Sequence, residues 1–307
     1  MLFSNPLAAR VEADPHQVSL VGKQGLQYVE LQLPSTRHSF ATHELFNLLS
    51  FSQIEPIALR APENMALGKV PLNLEDWEFW LETAAELYGD SPYRYFICHG
   101  AAVTLNEVFD YLDARPRDFN GLHDYKTQYV ETVIQQLNTL ENVAQALNIK
   151  LLIENAPMSG QEYFEPGQDW IHPALRTPRH LLQIAEATGT GICFDSANAR
   201  ITSHVLSYMH RSRSLFAAAT EKEVLNATRT WIDFYRELKE HTALTRLSFA
   251  ISWGDTPATH HIPFPEGAYP ELLAFAQLLH PELPVILPTG NNKLKEMMEP
   301  LMRLKMR

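Results

Sequence analysis

Cysteine is scarce, with 2 in 307 residues. That excludes a disulfide-built scaffold. Cys98 and Cys193 each sit inside an apolar run and read as buried free thiols of a reducing compartment. Positive charge is also short. There are 25 Lys and Arg against 36 Asp and Glu, a formal charge of −11, whereas a nucleic-acid binder usually carries the opposite balance. No apolar run is long enough to span a membrane, because polar residues interrupt each one. The first residues lack a basic segment followed by an apolar one. A soluble, cytoplasmic protein with no membrane partner is expected. No Gly-x-Gly-x-x-Gly follows the first strand, which weakens a dinucleotide-binding fold. No repeat, linker or shift in composition divides the chain, so residues 1–307 are expected to form one domain.

What is present is alternation. Short apolar runs at Leu2–Asn5, Tyr28–Leu33, Pro56–Arg60, Tyr93–His99, Lys150–Asn155, Gly191–Asp195, Leu247–Ser252 and Pro284–Leu287 read as strands buried on both faces. Amphipathic segments lie between them. The clearest is Asp124–Asn148, where Tyr125, Tyr129, Val133, Leu137, Leu140, Ala144 and Leu147 form one stripe at three- and four-residue steps. Leu74–Tyr88, Thr230–His241, Glu271–Leu279 and Lys293–Leu304 are further helix candidates. Eight strand–helix units over this length predict an α/β chain folded as a (β/α)8 TIM barrel. The strand-to-helix links are long, at Gly100–His123, Ala156–Thr177 and Ala199–Thr220. In a barrel they gather at the C-terminal face, where active sites form.

Polar residues that end apolar strands are the candidates for chemistry. His99 ends strand four and suits a metal ligand or general base. Glu154 ends Leu151-Leu152-Ile153, where a carboxylate is costly unless paired or bound to a cation. Asp195 repeats that pattern at strand six, and Asn155 and Asn198 nearby can contact substrate. Ser252 and Asp255 follow strand seven, and His260 and His261 come shortly after. Gly290 and Asn291 could hold an anion before the last helix, though a plain turn accounts for them equally well. Trp170, with Tyr163 and Phe164, could cover a ligand or simply pin its loop.

The set resembles the xylose-isomerase-like TIM barrels, which include sugar isomerases and epimerases and the endonuclease IV group. The resemblance rests on Gly25-Leu26-Gln27-Tyr28-Val29-Glu30-Leu31, on Ile153-Glu154-Asn155, on Cys193-Phe194-Asp195-Ser196, and on His261-Ile262-Pro263-Phe264-Pro265-Glu266-Gly267. It implies a divalent metal (Mn, Mg, Co or Zn) held by carboxylates and His at the ends of strands five to eight. Glu154 and Asp195 match the first two positions. Ser252 and Pro288 replace the next two, Asn198 replaces a further His, and a shift of register would bring in His260 or His261. The implied ligand set is Glu154, Asp195 and His261, and with two ligands replaced the site stands open to holding a metal or none. The implied catalytic pair is Glu154 and His99, and Asn155, Asn198, Ser252, Asp255 and Trp170 would contact the substrate.

Three functions compete. The first is a divergent sugar or polyol isomerase or epimerase that moves a proton on a small polar substrate at an altered metal site. The second is a non-catalytic barrel that binds a ligand or protein. The third, minor, is metal-dependent phosphodiester cleavage, which the acidic charge disfavours. A homo-oligomer or a protein partner stays open.

Overall fold

The computed structural model describes residues 4–37, 42–159, 170–289 and 293–305. Eight parallel strands close into a barrel: β1 Leu7–Glu12, β2 Tyr28–Gln32, β3 Glu55–Arg60, β4 Tyr95–Cys98, β5 Lys150–Glu154, β6 Gly191–Asp195, β7 Thr242–Arg246 and β8 Val285–Pro288. Each strand pairs with its neighbours in sequence, and β8 closes on β1 through Leu7 opposite Val285 and Arg10 opposite Pro288. This is the (β/α)8 TIM barrel expected from the alternation.

The apolar stripes form the outer shell. The helix Leu74–Tyr88 buries Trp77, Trp80, Leu81, Ala84 and Leu87, and Asn73 caps its start by accepting from the Asp76 amide. The helix Gly121–Ala146 buries Tyr129, Val133, Leu137, Leu140 and Ala144 on its sheet-facing side. The link expected at Ala199–Thr220 is mostly helix: Ser196–Ser212 continues directly from β6. Of the Ala156–Thr177 link, residues 160–169, with Tyr163 and Phe164, lie outside the described residues. Gly290 and Asn291 do too.

Two of the expected strands lie elsewhere. Of the run Leu2–Asn5, Leu2 and Phe3 lie outside the described residues, and the first described strand is β1, which begins after Pro6 and carries Arg10 and Glu12. Leu247–Ser252 follows β7. Its Leu247, Phe249 and Ala250 are buried, and Phe249 bridges Ile262 in an antiparallel step. In both cases the real strand is the more polar segment, and the layering of the barrel interior is the reason. Ala8, Ala58, Ile97, Leu152, Cys193, Leu244 and Ile286 pack in one buried apolar cluster. Side chains on a strand alternate faces, so the residue two further on points the same way. That step gives Arg10, Arg60, His99, Glu154, Asp195, Arg246 and Pro288, and on β2 it leads from Tyr28 to Glu30. A charged layer therefore sits on an apolar one at the C-terminal ends of the strands.

Candidate functional site

The charged layer is joined across the barrel. Arg246 donates to Glu30 through Nε (2.8 Å) and through Nη2, and to Glu154 through Nη1. Arg60 donates from Nε to the other Glu154 oxygen at 3.2 Å, and from Nη1 to Gln32 Oε1 at 3.0 Å and to Glu63. Arg10 donates from Nη2 to Gln32 Oε1 at 2.9 Å, with its Nε 3.6 Å from Glu30. The Arg246 contacts and Arg60–Glu154 link non-adjacent strands, so these groups meet inside the barrel. Arg246 and Glu30 are completely buried.

Burial alone would raise the Glu154 carboxyl. The Arg246 and Arg60 charges outweigh it and hold Glu154 well below the usual carboxylate range. Arg246 is correspondingly held charged by Glu154 and Glu30 against the cost of its burial. Asp195 moves the other way. Burial and the nearby Glu154 charge push it up to about 7. Its Oδ1 caps the helix Ser196–Ser212 by accepting from the Asn198 amide at 3.0 Å, while Oδ2 has no hydrogen-bond partner among the described residues.

Around this layer lie the other residues singled out in the sequence. Asn155 bridges β5 to β6, donating to the Asp195 carbonyl at 3.0 Å and accepting from the Asp195 amide at 2.6 Å. Asn198 donates to the Asn155 carbonyl at 2.9 Å and accepts from His260 Nε2 at 2.9 Å. His260 stacks on His261 with ring centroids 4.0 Å apart. His261 Nδ1 lies 3.0 Å from Ser248 Oγ and 3.9 Å from Asp195 Oδ2. His99 Nε2 faces the Glu63 carbonyl at 3.4 Å, so Nε2 carries the proton and Nδ1 keeps its lone pair; Nδ1 is buried and unpartnered among the described residues. Burial and the Arg60 charge push His99 down to about 4, and burial does the same to His260. Both rings are neutral at pH 7.

Above the layer opens a cavity of about 480 Å³, lined by Arg10, Arg60, His99, Glu154, Asn155, Trp170, Asn198 and His261 among others. Its size suits a small ligand. Trp170 is placed there by pairing antiparallel with Thr104, and Lys69 sits over its ring at 5.6 Å. Ser252 and Asp255 do not line the cavity. They lie on an exposed turn, where the Ser252 carbonyl meets His204 Nδ1 at 3.0 Å and Asp255 contacts Thr259. The apolar run that suggests strand seven lies past its true end, and this is what carried both residues to the expected site.

A divalent metal does not fit these residues. Both Glu154 oxygens are taken by guanidinium groups. Strand eight contributes Pro288, and strand seven contributes a cation, Arg246, where a ligand would be needed. Among the described residues no group of three or more His, Cys, Asp and Glu side chains is arranged to hold a metal ion. The expected set of Glu154, Asp195 and His261 is therefore not assembled. Glu154 is a counter-ion here, and two guanidinium partners make it a poor proton acceptor, contrary to the role expected for it.

Arg10, Arg60 and Arg246 do not stand out in the sequence, and Glu30 does so only as a motif position. One signal does point to them. Glu30 between Val29 and Leu31, and Glu154 after Ile153, are charges inside apolar strands and require buried partners of opposite sign. Arginines in or beside other strands are the natural source.

No family model matches the chain, and no curated protein sequence does. Solved structures match along nearly its whole length. A D-tagatose 3-epimerase-like protein aligns with TM-score 0.64 at 13% identity, covering 98% of this chain and 96% of its own. An AP endonuclease of family 2 from Brucella melitensis aligns with TM-score 0.59 at 10% identity, covering 97% and 98%. An IOLI protein with a bound zinc atom aligns with TM-score 0.57 at 12% identity, covering 98% and 95%. The structural neighbours are xylose-isomerase-like TIM barrels, and identities this low establish the fold alone.

Proposed function

We propose that the protein binds a small, sugar-like polyhydroxy molecule in the cavity at the barrel mouth, without a divalent metal. The observation that carries this reading is the Glu30–Arg246–Glu154–Arg60 network. It puts fixed protein charge at the strand ends where the resemblance implies a metal, directly beneath a polar cavity. Arg10, Arg60, His99, Asn198 and His261 supply donors and acceptors for hydroxyl groups, and Trp170 supplies an apolar wall. The sugar epimerases among the structural neighbours favour this ligand class.

One observation favours a catalytic version, a metal-free isomerase or epimerase. His99 is neutral, its Nε2–H is directed at the Glu63 carbonyl, and its Nδ1 lone pair is buried without a partner among the described residues. With the ring it belongs to turned over toward the cavity it lines, this nitrogen takes a proton from a bound carbon acid while the cationic Arg10 and Arg60 stabilise the oxyanion that develops. A base held near 4 makes that transfer slow. The expected rate is far below that of an enzyme whose base is tuned to neutrality.

The test uses two readouts. Thermal shift and calorimetry against ketoses, aldoses, polyols and sugar acids should find at least one binder in metal-free buffer, and none at all overturns the reading. Any binder is then incubated in D2O and followed by NMR. Solvent deuterium entering a carbon next to the carbonyl, lost in His99→Gln, supports the catalytic version. Binding without exchange removes it and leaves the binding reading in place.

A further inference from the structure

We propose that the ligand carries an oxyanion, a carboxylate or a phosphate on its polyhydroxy chain, and that this group is seated on Arg10. The inference rests on the binding reading above and narrows its ligand class.

The argument follows from which cation holds which carboxylate. Glu30 gives both oxygens to Arg246, through Nε and Nη2. Glu154 gives one oxygen to Arg246 and the other to Arg60. Glu63, on the rim, pairs with Arg60. Among the described residues Asp195 pairs with no arginine; its Oδ2 lies 3.9 Å from the ring of His261, which burial keeps neutral. Arg10 is left over. Its carboxylate contact is a share in Glu30 at 3.6 Å, and its hydrogen bond goes to the neutral Gln32 amide. Only 24% of its side chain is exposed, on the cavity wall. A guanidinium so placed has lost much of its hydration without gaining a counter-charge of its own. Burial and the repulsion of Arg246 and Arg60 depress its pKa, which agrees with a missing anion. Lys69 on the same cavity wall has no carboxylate partner among the described residues either, and it adds to the positive field. This occurs in a chain of net charge −11, so the cavity differs in sign from the molecule around it.

A planar carboxylate can take two parallel hydrogen bonds from a guanidinium, and a phosphate can do the same. The two sources are separated by the ligands used. Calorimetry compares gluconate, glucose 6-phosphate and neutral sorbitol, with acetate and inorganic phosphate as bare anions. The expected result is that one acidic polyol binds at least about tenfold more tightly than sorbitol, and that its affinity weakens as salt rises. Arg10→Gln should bring the acidic and neutral compounds within about twofold of each other. Lys69→Gln, at an exposed position, should weaken the acidic ligand severalfold more than it weakens sorbitol. Sorbitol binding as well as its acidic relatives overturns the proposal, as does an intact acidic preference in folded Arg10→Gln. If Arg10→Gln fails to fold, an unchanged acidic preference in Lys69→Gln, or one insensitive to salt, overturns it. If no polyhydroxy compound binds while a bare anion does, the anion seat stands and the sugar-like ligand falls.

Discussion

Replacing Arg246 with methionine is expected to destabilise the fold by about 3–5 kcal/mol, measured by urea unfolding at pH 7. Methionine keeps much of the volume and removes the charge, so the loss reports electrostatics more than packing. Glu30, fully buried, would keep only Arg10 at 3.6 Å, and Glu154 would keep only Arg60. The penalty comes from leaving a buried carboxylate without its partner, not from the net worth of the pair. It follows that Arg246→Met combined with Glu30→Leu should be more stable than Arg246→Met alone, although two residues are then changed. A single-variant loss below about 1 kcal/mol would mean that the network contributes little.

The same variant tests whether the guanidinium stands where a metal would. With Arg246 present, 1 mM Mn2+ or Zn2+ should leave the melting temperature of the wild type unmoved, because both oxygens of Glu154 and of Glu30 are engaged. With Arg246 removed, Glu30 and Glu154 each lose their main counter-charge and keep only a weaker share in Arg10 and Arg60, and divalent ions should restabilise the variant. A site filled to about a hundred times its dissociation constant gains about 2.7 kcal/mol, a shift of several degrees. Stoichiometric metal in the purified wild type would overturn the reading.

The difference between what the sequence discloses and what it hides follows from the layering. Strands whose inward and outward residues are both apolar, such as Leu151–Ile153 and Ile192–Phe194, are legible because a short unbroken apolar run needs burial on both faces, which a barrel strand supplies. β1 and β7 are not. Ala8 and Leu244 face the apolar layer, but Arg10, Thr245 and Arg246 interrupt the run, while the apolar stretch after β7, at Leu247–Ile251, falls outside the strands. The second displacement moves the site with it. A strand seven read from Leu247 onward has Ser252 at its end and leaves out Arg246, the residue that organises the barrel mouth. Asn155 and Asn198 are visible as polar residues near strand ends. Their bonds to the Asp195 backbone and the Asn155 carbonyl depend on how two neighbouring strand ends align, which spacing along one chain does not encode.

Asp195→Asn is expected to stabilise the protein above neutral pH and to have no effect near pH 4. Asp195 rises from 3.8 to about 7 on folding, so the folded state holds its proton more tightly than the unfolded one. Below pH 4 both states are protonated and the group costs nothing. As pH rises from 4 to 7 the unfolded chain releases the proton and the folded chain keeps it, so stability falls by about 1.4 kcal/mol per unit. Above 7 the loss is complete, and the total is on the order of 4 kcal/mol. Asparagine imitates the protonated acid at all pH values and keeps the Oδ1 that caps the Asn198 amide. The wild-type profile alone would not show this, because His99 and His260, both held near 4, lose stability in the opposite direction as pH falls below 6.5. Subtracting the variant's profile from the wild type's cancels the histidines and leaves Asp195. A variant less stable than wild type at pH 8 would mean that Asp195 is ionised and favourably paired, with His261 as the available partner. The charge assignment of the barrel mouth would then have to be redrawn, since a cation at His261 would compete with Arg10 for any bound anion.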